Sequence, residues 1–139
     1  MKKFASWLFI GNIIMKTIQS IRFGIQAIRE LDEEMIALKK VTNESSEAYD
    51  RFLQSAIEVG NQLGKTTQEV IRASTEWSRL GYSMQEALQL GEESLVLANV
   101  GLMDVGQATR HLISTLHGFN LEAREARMVI DAINETGNR

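Results

Sequence analysis

The chain has 139 residues, enough for one ordinary domain with a hydrophobic core, and its net charge of −3 argues against a broad nucleic-acid-binding surface. It contains no cysteine, which excludes disulfide bonds, thiolate metal sites and a cysteine nucleophile. It also contains no proline and is rich in good helix formers, so the composition favours an all-α fold with long helices.

The amino terminus begins with two lysines and a mostly apolar run from Phe4 to Met15, FASWLFIGNIIM. This run is too short to span a bilayer, which needs about 20 apolar residues. It is similar to the front of a secretory signal, but no small-x-small cleavage site follows it. A helix start that is buried or faces a partner is therefore the favoured interpretation. Contact of residues 1–20 with a membrane surface is the alternative.

A long amphipathic helix is predicted from about residue 4 to Lys40. Its apolar residues recur at helical period, in a stripe wider than a strict two-position coiled-coil seam. The stripe either packs on the chain's own domain or forms a coiled coil with other copies, and four heptads do not decide between these interpretations. The face predicted for self-association consists of Ile14, Ile18, Ile21, Ile25, Ile28 and Met35.

The pattern changes after residue 42 to short helices separated by tight turns. We therefore predict an amphipathic segment over residues 1–42 and a compact helical module over residues 43–139. The module's first helix is predicted from about Ser46 to Leu63, with Ile57 on its apolar face. The whole chain is thus predicted to be all-α, with one long helix and about five shorter ones, the later helices lying near 67–80, 84–100, 105–117 and 121–136.

Three of the predicted turns share one signal, a glycine followed two residues later by Thr, Ser or Asn. Glycine suits the left-handed position just after a helix, and the polar residue suits the N-cap of the next helix. Glu69 and Glu86 stand three residues after two of these N-caps, which predicts capping boxes. The predicted capping residues are Gly64, Thr66, Gly81, Ser83, Asp104, Gly118 and Asn120.

The stretch GNQLGKTT, residues 60–67, contains a Gly-Lys-Thr similar to that of a phosphate-binding loop. Such a loop needs four residues between its two glycines and follows a β-strand. Here only Asn61, Gln62 and Leu63 separate the glycines, and the preceding residues have helical spacing. Nucleotide binding is therefore not expected.

No constellation of side chains predicts catalysis. His111 and His117 are six residues apart, which rotates them to different faces of a helix and prevents them from sharing a metal ion. Trp77 fits a buried helix face, and the basic residues are scattered rather than clustered. We therefore expect no enzyme activity, no catalytic residue, no metal, no cofactor and no specific nucleic-acid binding.

Three blocks of sequence carry a family resemblance, namely residues 31–53, 73–88 and 97–138. The most specific pieces are WSRLGY, residues 77–82, and the closing block over residues 98–138. In this order and spacing, over roughly residues 25–139, the chain closely resembles the core region of phage tail tape measure proteins.

The resemblance implies a structural protein of a phage or prophage tail, which helps to set tail length and to organise tail assembly. Tape measure proteins act with tube subunits, the tail-tip complex and assembly chaperones. The resemblance thus implies a place in the virion tail, and in the host cytoplasm during assembly, with self-association and no catalytic residues to carry over. The alternative is a stand-alone amphipathic helical protein that acts at a membrane surface.

The length of the chain departs from the family pattern, since members usually run to many hundreds of residues. Even a fully helical chain of 139 residues would span only about 210 Å at 1.5 Å per residue. Most long tails exceed that length, so this chain alone is a poor ruler. We therefore expect a fragment, an excised domain or a prophage remnant, which contributes assembly or anchoring.

Overall fold

The computed structural model describes residues 28–137. That range contains six α-helices, one short 3-10 helix and no strand, which confirms the all-α prediction. The elements are α1 (28–41), α2 (Ser46–Leu63), α3 (Thr67–Arg79), α4 (Met84–Val100), α5 (Val105–Gly118), the 3-10 helix (Ala123–Glu125) and α6 (Ala126–Gly137).

Most of the predicted amino-terminal helix falls outside the described residues. Only its end, α1, belongs to them. The apolar run from Phe4 to Met15, the segment 1–20 and four residues of the predicted self-association face all lie outside. Those four are Ile14, Ile18, Ile21 and Ile25.

Backbone contacts divide the chain into two units, Met1–Glu33 and Glu34–Arg139. This division lies earlier than the predicted boundary after residue 42. Within the second unit, Leu38 of α1 is fully buried, and the hydroxyls of Thr42 and Tyr49 lie 2.8 Å apart in a hydrogen bond. The end of α1 therefore packs in the same unit as the helices that follow it.

Two capping boxes set the starts of α3 and α4. The Thr66 hydroxyl accepts the Glu69 backbone N–H at 3.2 Å, and the Glu69 carboxylate accepts the Thr66 N–H at 2.8 Å. Ser83 and Glu86 repeat this exchange at the start of α4, at 3.3 and 3.0 Å. Each box pairs backbone donors that have no partner within the helix.

A carboxylate caps the start of α5, and glycines follow the ends of α2 and α3. Asp104 accepts the Gln107 backbone N–H at 3.2 Å, so α5 begins at the next residue, Val105. Gly64 and Gly81 have φ values of 65° and 94°, in the left-handed region that a residue with a Cβ rarely adopts. These turns reverse the chain between α2 and α3 and between α3 and α4.

The turn after α5 differs from the predicted one. Gly118 is the last residue of α5, and Asn120 has the left-handed conformation, with φ 53°. Asn120 is therefore not the N-cap of the next helix. The Leu121 N–H donates to the Leu116 carbonyl at 2.8 Å, so the left-handed residue after α5 is Asn120 rather than Gly118, although the helix itself ends only one residue later than expected. The chain then forms the 3-10 helix before α6 begins.

The core forms around α3 and α4, which share the most extensive contact in the second unit. Helix α2 packs on both of them, while α5 and α6 pack mainly on α4. Ile57 is exposed, although it was predicted to lie on the apolar face of α2, whereas Val59 of the same helix is buried. The largest fully buried side chains are Trp77, Leu38, Ile71, Leu90, Leu95, Leu97, Leu112, Leu116 and Ile130.

Candidate interaction surface

The described residues contain no cluster of the kind that binds a metal. Over 28–137, no three His, Cys, Asp or Glu side chains come close enough together to hold an ion. In the same part of the chain, no helix is both long enough and apolar enough to cross a membrane. His111 and His117 both lie exposed on α5.

The Gly-Lys-Thr stretch forms the junction between α2 and α3. The Lys65 N–H donates to the Gly60 carbonyl at 2.8 Å, and Gly64 and Thr66 are the C-cap of α2 and the N-cap of α3. A phosphate-binding loop joins a strand to a helix, whereas this segment joins two helices. Its glycines serve the turn between these helices.

A buried polar contact fixes α3 against α4. The Trp77 side chain is fully buried, as predicted, and its indole N–H donates to the Ser94 hydroxyl at 3.0 Å. Ser94 in turn donates to the Leu90 carbonyl at 2.9 Å. The Tyr82 ring meets the indole edge-on, with ring centroids 5.6 Å apart. This contact holds both helices, and the turn between them, in one arrangement.

A glycine allows the two helices to approach closely at the same crossing. A Cβ added to Gly91 would lie 2.7 Å from the Ser74 hydroxyl oxygen and 3.0 Å from the Ser74 backbone nitrogen. Both residues are buried. The sequence prediction missed this contact, because a single glycine inside a helix does not indicate which helix crosses there.

Helix α6 is joined to α4 by an ion pair. The Arg127 guanidinium contacts the Glu93 carboxylate at 3.2 Å and the Asp131 carboxylate at 3.8 Å. The Glu93 side chain is only 12% exposed, while that of Arg127 is 58% exposed. Burial raises the pKa of Glu93, because it disfavours the charged carboxylate more than Arg127 favours it, and the nearby charges of Glu92 and Asp131 act in the same direction as burial.

The raised pKa gives Glu93 a definite effect on stability. The folded chain holds the Glu93 proton more tightly than the unfolded chain does. The tighter binding of the proton favours folding at pH values below the ordinary glutamate pKa. This contribution to stability is lost as the pH rises through the raised pKa of Glu93. At neutral pH the ionised Glu93 carboxylate therefore lowers the stability of the folded chain, although it belongs to an ion pair.

Glu93→Gln is expected to leave the free energy of unfolding at pH 7 unchanged or higher, because it removes the cost of burying a charge while Arg127 keeps Asp131 as a partner. Urea unfolding of both proteins between pH 4 and pH 8 measures this, and any advantage of the variant should shrink towards the acid end. Glu92→Gln, which makes the same change of charge on the next residue, is the control. A loss of about 1 kcal/mol or more in Glu93→Gln at pH 7 would contradict the expectation.

An apolar groove lies between the end of α5 and α6. Its volume is about 550 Å³, and none of its lining residues is charged. Phe119 and Ile133 are 75% and 44% exposed there. The sequence prediction treats Phe119 only as the residue between two caps and does not identify this groove. The lining residues are Thr115, Phe119, Leu121, Val129, Ala132, Ile133 and Thr136.

The predicted self-association face is represented here by its last two residues. Ile28 is 62% exposed, and Met35 is partly exposed. Ile36, which was not part of the predicted face, is also exposed. Each of these three side chains thus exposes apolar surface.

A family model described as phage-related minor tail protein matches residues 53–139, which is more than half of the chain. The matched range begins within α2 and includes the α3–α4 crossing, the ion pair between α4 and α6, and the α5–α6 groove. No solved structure matches the chain.

Proposed function

The chain belongs to the family of phage-related minor tail proteins, and from this premise we propose that it is a segment of a tail tape measure protein. The family supports a structural role in a phage tail. The observation that carries the finer proposal is that the most specific pieces of the resemblance meet in one packed unit. The WSRLGY segment forms the α3–α4 turn, where Trp77 contacts Tyr82, and the block from residue 98 onwards supplies α5 and α6, which pack on α4.

The packing of the module helps to distinguish a measuring role from an assembly or anchoring role. A measuring segment gains about 1.5 Å of length per residue only while its helix continues in one direction. Here α3 and α4 fold back on each other through the turn at Gly81, and α5 and α6 pack on α4 rather than extending it. We propose that the module contributes assembly or anchoring, and that helical repeats elsewhere in the parent protein set the length.

The partners that this proposal implies are the other proteins of the tail. They are the tube subunits, the tail-tip complex and the assembly chaperones, which the protein meets in the host cytoplasm during assembly and in the virion tail afterwards. Self-association through the face that ends at Ile28 and Met35 is part of the same proposal. The exposure of Ile28 supports it.

Mutations in a phage that encodes this chain test whether the module contributes assembly while the helical repeats set the tail length. In-frame deletions in the helical repeats of the parent protein are expected to shorten the tails in proportion to the residues removed, because the repeats act as the ruler. Disruption of the α3–α4 crossing is expected to abolish assembled tails, because the module anchors assembly. Negative-stain electron microscopy of lysates measures both.

Leu102→Asn, a change at an exposed residue in the α4–α5 turn, is the control and is expected to give tails of normal number and length. Unchanged tail length after a large deletion of the repeats would overturn the tape measure proposal. Normal tail numbers with a disrupted α3–α4 crossing would overturn the assembly role.

A further inference from the structure

A pocket lies between the first turns of α2 and α4 and is called here the α2–α4 pocket. Its volume is about 490 Å³, which is within the range of ligand-binding sites. Its apolar lining includes Ala48 and Phe52 of α2 and Met84 and Leu88 of α4. Phe52 and Met84 are buried, while Ala48 and Leu88 are half-buried. The occupant must therefore present an apolar group to these walls.

The α2–α4 pocket is the open end of a groove between two parallel helices. The starts of α2 and α4 share the pocket. Near their other ends, the Asn99 side-chain amide of α4 donates to the carbonyl of Leu63, the last residue of α2, at 3.1 Å. The two helices thus run in the same direction and leave space between them only at their starts. A helix laid into a groove of this kind is a recurring mode of protein recognition.

Two charged side chains of opposite sign line the α2–α4 pocket. Glu44 precedes α2, and Arg51 lies in its second turn, seven residues later. Among the described residues, neither side chain takes part in an ion pair. Arg51 does not pair even with Glu47, which stands four residues before it, at a spacing that commonly gives an ion pair on a helix. Both charges are therefore available to an occupant.

We propose that the α2–α4 pocket binds a helix of a partner protein, which inserts an apolar side chain between an acid that meets Arg51 and a base that meets Glu44. Seven residues of helix span about 10 Å, so the acid and the base are expected about seven residues apart on the bound helix. The opposite charges fix the direction in which that helix lies. The pocket is concave, so the same pocket on a second copy cannot fill it.

Two synthetic helical peptides, each with leucine at its centre, test the proposal on the full chain. The first carries lysine on one side of the leucine and glutamate on the other, seven residues apart, and the second carries lysine at both places. The wild type is expected to bind the first peptide at least about threefold more tightly, because the second places a lysine against Arg51. Fluorescence anisotropy of the labelled peptides measures both dissociation constants.

Arg51→Glu is expected to reverse this preference, so that the peptide with two lysines binds the variant more tightly than the first peptide does. A variant that merely failed to fold would not gain affinity for either peptide. Arg110→Glu makes the same change of charge at an exposed residue of α5 and is the matched control. It is expected to keep the preference of the wild type.

Ala48→Phe tests the apolar part of the pocket without creating a cavity. The added ring is expected to occupy the pocket and to weaken binding of the first peptide at least about tenfold, because the apolar anchor of the peptide carries much of the binding energy. Gln54→Phe, which adds the same ring at an exposed residue of α2 outside the pocket, is the control and should bind as the wild type does. Circular dichroism verifies that both variants are folded.

Failure of the first peptide to bind the full chain at millimolar concentration would overturn the proposal. Equal binding of the two peptides, or an unchanged preference in Arg51→Glu, would do the same. Sedimentation velocity without peptide tests the other occupant, since a wild-type dimer that Ala48→Phe dissociates would place a second copy in the pocket and overturn the choice of partner. Peptide binding at this pocket does not depend on the tape measure assignment, and it uses a surface other than the predicted self-association face.

Discussion

Trp77→Ala is expected to lower the free energy of unfolding by about 3–5 kcal/mol, the range measured when a buried aromatic side chain is truncated to alanine. Trp77 is the largest of the fully buried side chains, and it lies at the crossing of the two helices that share the most extensive contact. Since small domains have about 5–15 kcal/mol of total stability, this single change brings the module close to unfolding.

Two losses combine in this variant. Removing the indole leaves a cavity between α3 and α4, which the surrounding side chains refill only in part. It also removes the hydrogen bond to Ser94 and the edge-on contact with Tyr82. Ser94 still donates to the Leu90 carbonyl, so its hydroxyl is not left without a partner and the cavity is the larger loss.

Urea unfolding followed by far-ultraviolet circular dichroism measures the effect. Trp77→Phe is the first control, because it keeps an aromatic ring and should lose clearly less stability. Ser94→Ala is the second, because it leaves a buried indole N–H without its acceptor and should cost about 1–3 kcal/mol. A stability of Trp77→Ala within about 1 kcal/mol of the wild type would show that α3 and α4 are held together elsewhere.

The starts and ends of the helices could be predicted closely because their signals are local. The observed bounds of α3, α4 and α5 lie within one residue of the predicted ones. An N-cap and the acid three residues after it act on their own backbone, so their effect does not depend on the rest of the fold. The burial of Trp77 followed from helical spacing for a similar reason.

The turn after α5 shows where local signals become ambiguous. Glycine and asparagine both tolerate the left-handed conformation, and Gly118 and Asn120 stand two residues apart. The chain uses Asn120, because the helix continues to Gly118 and the Leu121 N–H then reaches the Leu116 carbonyl. The start of the following element is set by the Glu125 carboxylate, which accepts the Glu122 N–H at 2.7 Å.

The candidate surface could not be predicted because it depends on how the helices pack. The groove forms because α5 and α6 both pack mainly on α4 and make little contact with each other. Periodicity identifies an apolar face on each helix, but it does not reveal which of those faces stays uncovered. The same limit applies to Ile57, whose spacing suits a buried face although its side chain is exposed.

Gly91→Ala is expected to lower the free energy of unfolding by about 1–3 kcal/mol, the usual cost of overpacking a well-packed core. The added methyl group would lie 3.0 Å from the Ser74 backbone nitrogen and 3.3 Å from its Cα, which are atoms of a helix and cannot rotate away. Helices α3 and α4 would have to separate, and this would also weaken the contact between Trp77 and Ser94.

The control is the same substitution at Gly118, the last residue of α5, where an added Cβ meets nothing within 4 Å. Alanine is a better helix former than glycine, so Gly118→Ala should be neutral or slightly stabilising. The same substitution is thus expected to lower the free energy of unfolding at Gly91 but not at Gly118. This difference would identify the helix crossing as the cause. Urea unfolding of both variants measures them, and equal stabilisation by the two would show that the crossing has room for a side chain.

The double variant Ser74→Ala with Gly91→Ala tests whether the methyl group added at position 91 destabilises the protein through its contact with Ser74. Removing the Ser74 hydroxyl eliminates the 2.7 Å contact but leaves the backbone contacts in place, so we expect partial rescue. A double-mutant cycle reports the coupling between the two positions. If the two losses simply added, the destabilisation would arise away from this crossing. Partial rescue would identify Gly91 as the residue that permits α3 and α4 to form the frame on which α5 and α6 are packed.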